Sequence, residues 1–85
     1  MAAYFTLTPK GATERESFQS IDEKLCLHLG LPVDPDRYLD SWYDTIGFAL
    51  AVGKDWAWIH ENVPELDHIT DWLEANYTVD NWYGR

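Results

Sequence analysis

Basic residues and cysteine are scarce in this 85-residue chain. Six Lys and Arg stand against fifteen Asp and Glu, for a formal net charge of −9. Binding phosphates needs Lys and Arg to displace counterions, so six scattered ones argue against direct contact with DNA, RNA or an anionic membrane. A single cysteine, Cys26, excludes an internal disulfide. Small secreted domains more often carry an even set, so a reducing, cytoplasmic setting is expected. The first residues lack the basic-then-apolar pattern of a secretory signal. The longest apolar run, Ile46 to Val52, is too short to cross a bilayer. The five glycines are dispersed, which leaves no phosphate-cradling loop. No Cys/His spacing suits structural zinc, and no cofactor is expected.

What the chain does contain is unevenly placed. From Leu31 to Arg85 eleven acids face three basic residues, Arg37, Lys54 and Arg85, while the first thirty residues carry a balance of only −1. All five tryptophans and four of the five tyrosines share the acidic later part. An acidic surface studded with large amphipathic rings reads as a protein-binding surface rather than a catalytic pocket. The length corresponds to one domain over residues 1–85. A chain of this size buries roughly 60–65% of the surface that its unfolded form exposes. Aromatic rings, each removing about 150–250 Å² from water, help a core this small.

The periodicities predict a mainly α fold: a small bundle of three to four short helices, with a two-stranded β element from the two end segments. Residues 3 to 8 have strand composition. Thr13 and Glu16 match a capping box. The helix expected after them carries Phe18, Ile21, Leu25 and Leu29 on one face and ends at Gly30. Asp34-Pro35 signals the start of a second helix bearing Tyr38, Leu39, Trp42, Tyr43, Ile46 and Leu50. Gly47 inside it implies close approach of a neighbouring helix backbone. Asp55 can cap a third helix with Trp56, Ile59 and Val63. Alternation of Trp56 and Trp58 makes a strand over 55–63 the competing reading. Pro64 opens a fourth helix with Leu66, Ile69, Leu73 and Tyr77, ending near Asn76. Residues 77–85 are strand-like: they pair with residues 3 to 8 or form a mobile arm.

The most specific pattern is the acidic spacing. Asp36, Asp40 and Asp44 recur every four residues on the second predicted helix, and Asp67, Asp71 and Glu74 form a similar row on the fourth. Like charges so spaced destabilise a helix by about 0.2–0.5 kcal/mol per pair. Their retention is accounted for if the rows bind a basic partner, although an acidic protein also has solvated acidic faces. Trp58, Trp72 and Trp82 lie off the best apolar stripes and are the candidate anchors, since Trp and Tyr dominate binding hot spots. Together these nine residues are the expected partner-binding set. In size and charge the chain resembles small inhibitors encoded by phages and mobile elements, some of which mimic DNA. That likeness is one of class and covers no particular residues.

The leading expectation is therefore a non-enzymatic module, an inhibitor that mimics nucleic acid and blocks a basic site on a nucleic-acid-handling protein. An adaptor or small homodimer that binds through exposed aromatic residues is the alternative. A metal-dependent enzyme built on Glu65 and His68 is the second: the Glu-x-x-His pair is half of a di-iron bundle motif, and only one such pair exists. His60 stands isolated in the sequence. Cys26 and His28 are two apart, on different sides of a helix, which favours a small buried hydrophobe over a nucleophile and its base.

Overall fold

The computed structural model describes residues 4–39 and 41–81, with Ser41 described by its backbone alone. Strand β1 (Phe5–Pro9) leads to helix α1 (Phe18–Leu29). A π-helical segment (Ser41–Gly47) runs directly into the short helix α2 (Phe48–Ala51). Helix α3 (Trp56–Asn62), a 3-10 turn (Pro64–Leu66), helix α4 (Asp67–Asn76) and strand β2 (Tyr77–Asn81) complete the chain. The fold is the expected mainly α one, with a single two-stranded sheet among the described residues. The end segments form that sheet: β1 and β2 are antiparallel, pairing Phe5 with Asn81, Leu7 with Val79 and Pro9 with Tyr77. The 55–63 segment is helix rather than strand: Asp55 caps α3 through a 2.8 Å bond to the Trp58 N–H, and Trp56–Asn62 are helical.

The core gathers the predicted faces. Phe5 and Leu7 of β1, Ile21 and Leu25 of α1, Trp42 and Ile46 of the π-helical segment, and Leu50, Ile59, Ile69, Leu73 and Tyr77 from later elements are buried together. Phe18, Leu29, Leu39, Trp56, Val63 and Leu66 pack against them, partly exposed. Gly30 ends α1 in the left-handed conformation (φ 71°). The Leu31 N–H donates to the Cys26 carbonyl and the Gly30 N–H to that of Leu27. This pair of bonds is the Schellman closure that a C′ glycine allows.

Three local expectations are corrected. Ser17, not Thr13, caps α1, taking a 3.2 Å bond from the Ser20 N–H. Glu16 is turned toward Tyr77, Ser20 and Lys24 instead, and its backbone bridges to Leu7. Asp34-Pro35 opens one turn, not a helix: the Asp34 carboxylate accepts from the Asp36 N–H at 2.9 Å. Asp-Pro suits a turn as well as a helix start, and the chain is then drawn away from helix by α1. There the carboxylate of Asp22 accepts from the Leu39 N–H at 2.9 Å and from the Trp42 indole at 2.8 Å. Finally, the close neighbours of Gly47 are the Phe5 ring and the Trp42 carbonyl. A Cβ there would stand 3.2 Å and 3.3 Å from them, so no neighbouring helix is involved.

Candidate functional site

Helices α3 and α4 are joined through the turn at Pro64 and lie in contact, and acidic side chains of α4 converge on one histidine of α3. Nδ1 of His60 lies 3.0 Å from Oδ1 of Asp67, and Nε2 lies 2.9 Å from Oε2 of Glu74. Oδ1 of Asp71 is 3.5 Å from the same Nε2. The hydrogen bonds to Asp67 and then Glu74 hold the imidazole above its ordinary pKa, against the smaller opposing effect of burial. His60 is therefore not isolated. The row Asp67, Asp71 and Glu74 lies on one helix, as expected, and three of its carboxylate oxygens look toward the one imidazole.

The sequence deepens this acidity. Between residues 55 and 84 there are seven acids and no Lys or Arg. Glu61, Glu65 and Asp71 are exposed, while Asp67 and Glu74 are half-buried against His60. Trp58 of α3 is 37% exposed, with the Lys54 ammonium 5.2 Å from its ring centroid. Such a cation–π contact is available to other cations too.

The remaining expected site residues are spread out. Asp36 sits in the turn after Asp34, and Asp44 is exposed on the π-helical segment. They do not share an α-helical face, so the first acidic row does not exist as one. Asp40 and Trp82 lie outside the described residues. Trp72 is half-buried, its ring near His28 (5.8 Å, stacked) and Tyr77 (5.8 Å), which makes it a packing residue rather than an exposed anchor. Glu65 is on the 3-10 turn and His68 is exposed on α4. Neither belongs to the metal-type group found among the described residues, which is His60, Asp71 and Glu74.

Cys26 is buried, with its thiol 3.8 Å from an Asp22 oxygen. Burial and then the neighbouring carboxylate push that thiol up, away from the reactive thiolate. With His28 stacked on Trp72, Cys26 and His28 form no nucleophile–base pair.

A second surface is aromatic. Tyr4, Phe5 and Phe18 line two adjoining hollows of about 390 and 230 Å³. Arg15, Glu16 and Ser17 contribute to the wall of the first, and Tyr43, Asp44 and Phe48 to that of the second. Phe48 is 65% exposed at the rim. Sequence reasoning assigned no site there, because Phe48 reads as one more apolar residue of a helix. Set against family models, curated proteins and solved structures, the chain finds no match in any of the three, and its functional reading rests on these two surfaces.

Proposed function

We propose that this chain is a non-enzymatic binding module whose acidic α3–α4 face docks on a basic surface of a protein partner. One observation carries the reading: a thirty-residue stretch holding seven acids and no Lys or Arg, folded so that Glu61, Glu65 and Asp71 face solvent. An unbalanced face of this kind raises the encounter rate with a positive partner and rejects negative ones. Trp58, exposed on α3, supplies an aromatic anchor. A partner that normally grips nucleic acid fits this chemistry, and the α4 row would then stand in for phosphates. The spread of Asp36 and Asp44 confines such mimicry to α4.

Charge reversal tests the reading. Tagged protein and a Glu61→Lys, Glu65→Lys variant are used to capture partners at low and high salt. The expected result is a basic partner that washes off at high salt, is lost by the variant, and is displaced by duplex DNA. Equal capture by both proteins overturns the proposal.

The aromatic hollows favour a second reading, an adaptor or homodimer joined through Tyr4, Phe18 and Phe48. Its signature is binding that survives high salt, because screening weakens exposed charge pairs far more than apolar contacts. Phe48→Ser would then abolish binding while the Glu61 and Glu65 reversals leave it intact.

A further inference from the structure

We propose that His60, Asp71 and Glu74 bind a divalent transition-metal ion of the zinc class, with Asp67 as the outer carboxylate that orients the imidazole. The proposal does not rest on the docking reading. One donor atom from each of the three residues can be chosen so that all lie within 4.8 Å of one another. Metal–ligand bonds of about 2.0–2.2 Å place the donors of a tetrahedral site about 3.3–3.6 Å apart. From His60 Nε2 the observed separation to Asp71, 3.5 Å, lies within that range, and the one to Glu74, 2.9 Å, is shorter than it. Closing the set then needs rotation of the exposed Asp71 and half-buried Glu74 side chains about their own bonds.

The outer partner is in place as well. Ligating histidines usually donate their other ring N–H to a carboxylate, which fixes the tautomer and aims the free nitrogen at the ion. Asp67, 3.0 Å from Nδ1, stands in that position and leaves Nε2 to face Asp71 and Glu74. This separates the group from an ordinary patch of surface acids. The donors are mixed, one imidazole nitrogen and two oxygens, and they are held by two packed helices. On α4, Asp67, Asp71 and Glu74 fall at successive turns of one face, and α3 delivers His60 across from them. Such a nitrogen-containing set suits zinc, manganese or ferrous iron better than calcium or magnesium, which prefer oxygen alone. Three protein ligands leave a further position open to solvent, beside Asp71, which has 71% of its side chain exposed.

The test uses the full chain, stripped with a chelator and titrated with Zn²⁺ alone by calorimetry. The His60 ring signals are followed in parallel by NMR. The expected result is one ion per chain, with the His60 signals moving and those of His28 and His68 staying put. Asp71→Asn and Glu74→Gln should each weaken binding about tenfold or more, and Asp67→Asn by about 10–100-fold, as loss of an outer partner does. Mg²⁺ at the same concentration should leave the His60 signals unmoved. Absence of binding, unmoved His60 signals, or equal affinity in the wild type and Asp71→Asn overturns the proposal. Asp71 is exposed, so its substitution tests the site without touching the core, even if a His60 variant fails to fold.

Discussion

Asp22 is a carboxylate with almost no solvent contact. Its oxygens accept from the Leu39 N–H, the Trp42 indole and the Cys26 thiol, so it fastens α1 to the π-helical segment and to the irregular stretch before it. Removing it leaves two strong donors inside the protein without a partner, at about 1–3 kcal/mol each. Asp22→Ala should therefore lower stability by about 2–4 kcal/mol, and Asp22→Asn by less, since the amide oxygen still accepts. Urea midpoints measure both. Glu16 gives a pH signature. Burial alone would raise its carboxyl, but hydrogen bonds from Lys24, Tyr77 and Ser20 outweigh that and hold it below the usual value. A group depressed on folding stabilises the protein above its unfolded value, and the gain disappears as the pH falls through the folded one. Acidification below about 4.5 should thus lower the urea midpoint in the wild type, and Glu16→Gln should flatten that part of the profile. An equal acid slope in both proteins would assign the loss to other carboxylates. Asp22 was visible in the sequence only as a charge at position 22, inside the stripe of Phe18, Ile21 and Leu25. A charge on an apolar stripe signals a buried acceptor, but not which donors will find it. His60 was hidden for a related reason: its partners sit seven to fourteen residues away, across a turn whose geometry the sequence does not specify.

The elements were legible where apolar periodicity and cap chemistry agreed. In α1 and α4 the middle of each predicted stripe is buried, Ile21 and Leu25 in the first, Ile69 and Leu73 in the second, while its ends, Phe18, Leu29 and Leu66, are partly exposed. The Asp55 cap decided α3 in favour of helix despite the alternating tryptophans. Tyr77 kept the spacing of the α4 stripe, yet it opens β2, because pairing with Pro9 and a bond to Glu16 reward extended backbone. The second predicted helix failed at its start, where a turn closed by Asp34 and the pull of Asp22 compete with helix. That failure also removed one of the two acidic rows, while the α4 row survived and acquired His60. Gly47 tests how tightly this region is packed. Alanine would gain about 1 kcal/mol of helix propensity, but its methyl meets the Phe5 ring at 3.2 Å, and that ring is itself packed 4.8 Å from Phe18. Gly47→Ala should therefore destabilise by about 0.5–1.5 kcal/mol, within the range for overpacking. In a Phe5→Leu background the same change should become neutral or favourable, and a double-mutant cycle on denaturation midpoints would show the coupling.

Across the whole molecule, a net charge of −9 on 85 residues works against the folded state through self-repulsion. Added salt should raise the thermal midpoint, and Glu61→Lys should raise it at low salt with little effect at high salt. Insensitivity to both would mean that the acids are too well solvated to repel. The paired end segments carry a different consequence. A side-chain bond joins Thr78 to the Thr8 carbonyl across 70 positions, and another joins Tyr77 to Glu16 across 61. Contacts this distant in sequence are slow to form, because a long loop must close before they contribute. During synthesis, β1 leaves the ribosome before β2 and has no strand partner until residues 77–81 have followed it. Helical turns close locally as they appear, whereas the sheet has to wait for residues 77–81. Until then Leu7, fully buried in the finished protein, lacks the strand that completes its enclosure.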